Sequence, residues 1–120
     1  MVVSVSHDGG VTWNGPHIVH TDGVDASGNI FATPFFNDKE WIAADPNDSN
    51  TAYVSWTLFG PSGSPIVLSV THDGGNTWSA PVQVTPAFVT GGITPFDQGS
   101  FPLVNSHGTL FIAYYNADPG

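Results

Sequence analysis

The sequence predicts an all-β fold, and three observations support this prediction. An eight-residue segment repeats almost unchanged, as SHDGGVTW at residues 6–13 and THDGGNTW at residues 71–78, which we call the first and the second octet. A repeat of this spacing is typical of stacked or radially arranged units. The segments beside the octets are rich in β-branched and aromatic residues, which favour strands. The 14 Gly and 10 Pro fit a chain with many turns.

Each octet is expected to form a tight turn between two strands. Asp-Gly-Gly between apolar runs is a strong hairpin signal, because glycine adopts positive φ at no steric cost. The carboxylates of Asp8 and Asp73 are placed to accept backbone N–H groups of the turn, assisted by the hydroxyls of Thr12 and Thr77. The Trp that ends each octet should bury its ring nearby and find a partner for its indole N–H.

One complete unit of four short strands is expected in residues 41–85. Its third and fourth strands flank the second octet, so that the turn of the octet joins them. An apolar run such as residues 41–44 is typical of a buried innermost strand. The four strands are expected at residues 41–44, 51–58, 66–71 and 78–84.

Parts of two further units flank the complete one. Residues 2–20 contain the first octet and match the third and fourth strands, whereas residues 101–115 match the first and second strands. A shorter repeat, TPFFND at residues 33–38 and TPFD at residues 94–97, precedes the first strand of the complete unit and the first strand of the next one. This repeat places Asp38 and Asp97 at equivalent positions. The 120 residues therefore form a single domain of eight strands, equal to two units.

The octets resemble the Asp-box, also called the BNR repeat, whose pattern is Ser/Thr-x-Asp-x-Gly-x-Thr-Trp. The matching residues are Ser6, Asp8, Gly10, Thr12 and Trp13 in the first octet and Thr71, Asp73, Gly75, Thr77 and Trp78 in the second. This resemblance implies a β-propeller of the sialidase-like superfamily, with the box on the turn between the third and fourth strands of a blade, away from the ligand face. It also favours an extracellular location. The family includes sialidases, other glycosidases, receptors and assembly factors, so the fold alone does not assign a function.

Two blades cannot close a propeller, which typically needs four to eight. The first and second strands at one end of the chain complement the third and fourth strands at the other end of a second copy. Such head-to-tail contacts close by rotation. Three copies would give six blades, the number found in sialidase-like propellers, and a homotrimer is therefore expected. The alternative is that the chain is a piece of a longer protein.

The composition restricts the classes of partner and site. The chain has ten acidic residues and one basic residue, for a net charge of −9. Such a surface repels phosphate backbones, so nucleic acid is not an expected partner, whereas cations and neutral polar ligands are. The absence of Cys excludes disulfides and thiolate metal sites. No apolar run has the length of a membrane span, and residues 1–4 lack the features of a signal peptide.

A sialidase site is not expected in this chain. The resemblance implies three arginines that hold the substrate carboxylate, since the guanidinium fork grips a carboxylate with two hydrogen bonds. The sequence has no Arg, and its one basic residue is Lys39. We therefore expect a non-catalytic module with a structural or ligand-binding role, for which carbohydrate is the candidate ligand. The alternative is a fragment of a secreted sialidase-like glycoside hydrolase whose catalytic residues are mostly absent here.

Three carboxylates, Asp38, Glu40 and Asp97, are the candidate ligand-binding residues. They precede the innermost strands, in loops that the resemblance places on the ligand face. A glycosidase of another kind would need a pair of such carboxylates around the sugar. The alternative is that each caps a turn by accepting backbone N–H groups. In a trimer they would surround the channel mouth, where cations such as Ca²⁺ would offset their repulsion.

A second group of oxygen ligands, Asp22, Asp25 and Asn29, is the candidate metal site, and Ca²⁺ is its candidate ion. The group departs from the EF-hand pattern, and the alternative is a solvated loop with Asx turns. No cofactor is required by any feature of the sequence. Trp41 and Trp56 lie in apolar runs and are expected in the core.

Overall fold

Eight β-strands make up the regular structure of the chain in the computed structural model, which describes residues 1–23, 27, 29–61, 63–85 and 96–117. No helix occurs in these ranges, and hence none that could cross a membrane. The prediction of an all-β fold is confirmed. The strands are β1 (Val2–Val5), β2 (Asn14–Ile18), β3 (Phe36–Ala44), β4 (Ala52–Phe59), β5 (Ile66–Thr71), β6 (Val82–Gln83), β7 (Asp97–Val104) and β8 (Leu110–Asn116).

The strands form three antiparallel sheets in sequence order. β3, β4, β5 and β6 make a four-stranded sheet, which is flanked in sequence by the pairs β1–β2 and β7–β8. The first octet connects β1 to β2, and the second connects β5 to β6. Two strands differ in length from the expectation, because β3 already begins at Phe36 and β6 is only two residues long.

A bulge in β3 explains its unexpected length, and β7 contains the same bulge. The pairing with the next strand shifts between Asp38 and Trp41 in β3 and between Gln98 and Phe101 in β7. A residue with left-handed backbone lies inside each bulge, with φ of 56° at Lys39 and 63° at Gly99. Both strands therefore continue their pairing beyond the bulge, and the two bulges align β3 with β7 residue by residue.

This alignment corrects the predicted equivalence of Asp38 and Asp97. Trp41 and Phe101 follow the two bulges directly, and counting back from them makes Asn37 the residue equivalent to Asp97. The prediction was wrong by one position, because the two short sequence repeats differ in length. A slip of one residue moves a side chain to the other face of a strand. Asp38 and Asp97 therefore point into different surroundings.

The two faces of β4 hold the three sheets together. One face contributes to a core cluster of Val19, Val54, Trp56 and Val67, against which Met1, Val3, Leu58 and Trp78 pack, so this face binds the β1–β2 sheet. The other face is polar and meets β7. There the hydroxyl of Ser55 donates to that of Ser100 at 2.9 Å, and the hydroxyl of Thr57 lies 3.4 Å from the carbonyl oxygen of Asp97.

The two tryptophans expected in the core behave differently. Trp56 is completely buried, which confirms the prediction. Trp41 is 52% exposed, and the prediction for it was wrong. Among the described residues, its ring contacts one aromatic neighbour, Phe101, at a centroid distance of 5.0 Å. The reason is position, because β4 is an inner strand of its sheet whereas β3 is an edge strand.

Candidate functional site

The register of the strands separates two ends of the four-stranded sheet. Ala44, Ala52 and Thr71 lie side by side at one end, which carries the second octet and which we call the octet end. Phe36 pairs with Phe59 at the opposite end, which we call the loop end. Both ends contain residues that the sequence singles out, and they have different chemistry.

At the octet end, the first octet is held by hydrogen bonds to the carboxylate of Asp8. One carboxylate oxygen accepts the backbone N–H of Thr12 at 2.9 Å and the hydroxyl of Ser6 at 2.8 Å, and the other accepts the Thr12 hydroxyl at 2.6 Å. The indole N–H of Trp13 donates to the carbonyl oxygen of Gly10 at 3.1 Å. The hydroxyl of Thr12 is the largest cause that lowers the pKa of Asp8 to about 2.

The second octet repeats this pattern atom for atom. The carboxylate of Asp73 accepts the N–H of Thr77 at 2.9 Å, the Thr77 hydroxyl at 2.6 Å and the Thr71 hydroxyl at 2.8 Å. Trp78 donates to the carbonyl oxygen of Gly75 at 3.1 Å. The pKa of Asp73 is lowered to about 2, again chiefly by the threonine hydroxyl. Both carboxylates are therefore engaged within their own loops.

Among the described residues, only the second octet forms hydrogen bonds with another turn. The N–H of Gly74 donates to the carbonyl oxygen of Asn50 at 2.9 Å, in the turn between β3 and β4. Nδ1 of His72 lies 2.9 Å from the hydroxyl oxygen of Thr51. Trp78 is half-buried against the core, whereas Trp13 in the first octet is 64% exposed, so the predicted burial of the octet tryptophan was wrong for Trp13.

At the loop end, a cavity of about 420 Å³ opens between the start of β3 and the segment that follows β2. Its polar lining comes mainly from Asp22, Asn37 and Glu40. Its aromatic lining comes from Phe35 and Phe36, whose side chains are 47% and 62% exposed. The cavity therefore combines two carboxylates and an amide with two accessible rings.

A hydrogen-bond network fixes the inner wall of this cavity. The indole N–H of Trp56 donates to the side-chain oxygen of Asn37 at 2.6 Å, and the Asn37 amide donates to one carboxylate oxygen of Asp22. The other oxygen of Asp22 lies 3.0 Å from Nε2 of His20, whose ring is stacked at a tilt 5.6 Å from the Trp56 ring. Since Trp56 is buried in the core, Asn37 and Asp22 are anchored to the sheet.

The three candidate ligand-binding carboxylates lie within β3 and β7, so their prediction in loops was wrong, and their environments differ. Glu40 lines the loop-end cavity. Asp38 caps its own bulge, because one of its oxygens accepts the N–H of Lys39 at 2.9 Å, and it does not belong to the cavity lining. Asp97 is 1% exposed and lies under β4, and one of its carboxylate oxygens is buried with no hydrogen-bond partner. The structure thus brings only Glu40 to the cavity.

The candidate metal residues are also separated in role. Asp22 belongs to the network with His20 and Asn37, Asn29 is exposed, and Asp25 lies outside the described residues. Within the described ranges, no three His, Asp or Glu side chains are grouped so that they could hold a metal ion.

Sequence reasoning missed Asn37 and His20, although one signal pointed to the former. A tryptophan inside a buried strand needs an acceptor for its N–H, and Asn37 in the preceding strand is such an acceptor.

Comparisons with protein-family models, with curated proteins and with solved structures found no match to this chain. The features of the chain that bear on function are therefore the loop-end cavity and the octets.

Proposed function

We propose that this chain is a non-catalytic module of Asp-box propeller blades that binds neutral carbohydrate in the loop-end cavity. The observation that carries the proposal is the lining of the cavity, in which two exposed phenylalanine rings lie beside oxygen-bearing side chains. Sugar rings present apolar C–H faces, which pack on aromatic rings, and hydroxyls, which donate to carboxylates and amides. Binding sites commonly combine such apolar walls with a few fixed polar groups.

The anchored inner wall supports a binding role. Asn37 and Asp22 are held by Trp56 and His20 before any ligand arrives. A site that is already ordered does not spend binding free energy on immobilising its own side chains. Glu40, which is exposed at the rim of the same cavity, is the group left to accept hydroxyls from a ligand.

The charge of the chain supports a neutral ligand rather than an acidic one. A net charge of −9 with no Arg creates a field that repels carboxylated or sulfated sugars. The carboxylates of Asp22 and Glu40 in the cavity also repel acidic sugars, at short range. A sialic acid ligand is therefore disfavoured for this chain.

The hydrolase alternative receives no support from the site. Glycoside hydrolysis requires two carboxyl groups on opposite sides of the scissile bond. Asp97 is enclosed under β4, Asp38 lies outside the cavity lining, and both oxygens of Asp22 contact His20 or Asn37. We expect Glu40→Gln to leave hydrolysis of chromogenic glycosides at the level of the blank, as in the unmodified chain. Turnover that disappears with Glu40→Gln would favour the hydrolase.

We also propose that the four-stranded sheet is one propeller blade and that three copies of the chain close a six-bladed ring. Support comes from the order of the four strands, from the octet between the third and fourth, and from the matching hydrogen bonds of both octets. Light scattering after size exclusion should give a mass near three times 12.6 kDa. A mass near one copy would exclude the ring.

The binding proposal is tested with a panel of neutral and acidic oligosaccharides, followed by calorimetry on the tightest ligand. Phe35→Ala and Glu40→Gln should each weaken binding by about tenfold, which corresponds to about 1.4 kcal/mol. Asp38→Asn is the matched control, because it removes the same charge next to the cavity but outside its lining. Equal weakening by Asp38→Asn and Glu40→Gln, or a preference for acidic sugars, would contradict the proposed site.

A further inference from the structure

The β4–β5 pair within this chain is a template for a contact between chains, because β8 corresponds to β4. In the four-stranded sheet, Trp41 directly after the bulge pairs with Ser55. In the β7–β8 sheet, Phe101 directly after the equivalent bulge pairs with Ala113. Ala113 therefore occupies the position of Ser55, and the whole of β8 takes the place of β4 in its own unit.

In the same way, β1 corresponds to β5. Val67 of β5 pairs with Gln83 of β6, and Val2 of β1 pairs with Ile18 of β2. These pairs stand at equal distances from their octets, so Val2 occupies the position of Val67. β4 is paired with β5 along its length, whereas in the described structure β8 pairs only with β7, and β1 only with β2.

We infer that β8 of one copy pairs antiparallel with β1 of a second copy, in the register that β4 and β5 use. This pairing rests on the ring assembly proposed above and specifies its contact. The pair Ser55–Leu68 inside the chain becomes Ala113 opposite the partner's Val3. The pair Ala52–Thr71 becomes, in the same register, Leu110 opposite Ser6 of the partner subunit.

A specific polar contact recurs in this register with the same residue types. Inside the chain, the hydroxyl of Thr51 meets Nδ1 of His72 in the second octet. The equivalent residues between copies are Thr109, directly before β8, and the partner's His7 in the first octet. Two independent alignments, one through the bulges and one through the octets, thus place a threonine against a histidine again.

Apolar surface supports the same partner. A cavity of about 240 Å³ lies between β1 and β3, and its lining includes Val2, Val3, Ile42 and Val54. Ile42 is 50% exposed beside it. The face of β8 that carries Ala113 also carries Phe111 and Tyr115, which are 55% and 66% exposed. In the inferred register these rings lie on the same face as the partner's Val3. They therefore cover this cavity on the second copy.

Charge does not oppose the contact, although the chain is acidic as a whole. Neither Val2–Val5 nor Leu110–Asn116 contains an Asp, Glu, Lys or Arg. Edge strands that must stay unpaired commonly carry charged residues or proline. The two edges lack both, so nothing on them opposes strand pairing with a second copy.

Single cysteines test the register, since the chain has no Cys of its own. The N–H of Leu58 donates to the carbonyl oxygen of Pro65, and hydrogen-bonded and non-hydrogen-bonded pairs alternate from there. The Ser55–Leu68 position is therefore a non-hydrogen-bonded pair, where Cβ atoms approach most closely and a disulfide fits. The equivalent variants between copies are Val3→Cys and Ala113→Cys.

The two variants are purified separately, mixed, allowed to exchange and oxidised mildly. We expect a disulfide-linked pair of chains on a non-reducing gel from the mixture, and none above background from either variant alone. Val3→Cys mixed with Tyr114→Cys is the matched control, because residue 114 points to the other face of β8. Equal cross-linking with Tyr114→Cys would overturn the register.

The mass of the assembly separates the possible failures. A mass near three copies without cross-linking of Val3→Cys to Ala113→Cys would overturn the register but leave the ring. A mass near one copy would overturn both. As a second variant, Thr109→Val removes one hydrogen bond from each of the three contacts of the ring. The dissociation constant of the whole assembly should therefore rise by about fivefold per contact, or roughly a hundredfold in total. An unchanged dissociation constant would contradict the Thr109–His7 contact. Neither the cross-linking nor the dissociation constant bears on carbohydrate binding by single copies.

Discussion

The two octets have the same internal structure but different surroundings. Their paired glycines have nearly equal φ, 73° and 93° at Gly9 and Gly10 against 71° and 90° at Gly74 and Gly75. Each carboxylate accepts the N–H and the hydroxyl of the threonine four positions later and the hydroxyl two positions earlier. The local conformation is therefore specified by the octet itself and does not depend on what lies against it.

Burial, in contrast, is set by neighbours outside the octet. The second octet rests on the turn between β3 and β4 through Asn50 and Thr51, and its Trp78 reaches the core. The first octet lacks this support in the described chain, and its Trp13 stays largely exposed. The same eight-residue pattern is thus partly packed in one place and largely exposed in the other.

The tryptophans should show the largest difference between the octets. In dissociated copies, Trp78→Ala should lower the free energy of unfolding by about 3 kcal/mol, because a large ring leaves the core. Trp13→Ala should cost about 1 kcal/mol, since its ring is mostly in water and loses chiefly one hydrogen bond. Urea denaturation of both variants measures this. Equal losses would show that burial does not distinguish the octets.

The second glycine of each pair should give a smaller difference. A Cβ at Gly75 would lie 2.7 Å from the side chain of Val5, whereas at Gly10 the nearest atom is 3.8 Å away, in Trp13. A left-handed backbone should lower the free energy of unfolding of both alanine variants by about 1 kcal/mol. Gly75→Ala should cost about 1 kcal/mol more for the overlap. The same denaturation experiment checks it, and a larger loss at Gly10→Ala would contradict the packing.

The acid response should be the same in both octets. The folded-state pKa values of Asp8 and Asp73 are about 2, below the ordinary 3.8. Their ionised forms therefore stabilise the fold above about pH 3.8, and this contribution is lost as the pH falls toward 2. Carboxyl NMR titration should give two coincident curves, and replacement of both residues by Asn should flatten the acid unfolding profile. Two well-separated pKa values would show that surroundings control the carboxylates.

The strands and octets were predictable because their signals are local. Alternating apolar residues and Asp-Gly-Gly turns can be recognised within a few positions of the sequence. The burial of Trp56 is likewise indicated by its β-forming neighbours. The all-β fold and the consecutive order of the four strands follow from such signals. No contact between distant residues is needed for them.

The loop-end cavity was not predictable in the same way, because it joins three distant segments. Asp22 follows β2, Asn37 lies near the start of β3, and Trp56 lies in β4. Only the packed sheets bring them together. The two short repeats, TPFFND and TPFD, differ in length, so matching their final Asp residues put Asp38 in the place of Asn37. Exposure of Trp41 likewise depends on which strands lie beside it.

Lys39, the left-handed residue in the β3 bulge, allows trypsin cleavage to measure local opening of β3. Lys39 is the only Lys or Arg in the sequence, so trypsin has a single bond to cut, between Lys39 and Glu40. A protease binds its substrate in extended form, and a φ of 56° within a paired strand does not fit that form. Cleavage then requires β3 to detach, and its rate follows the open population. A ligand held by Glu40 would slow the cut, which turns one proteolytic event into a binding assay.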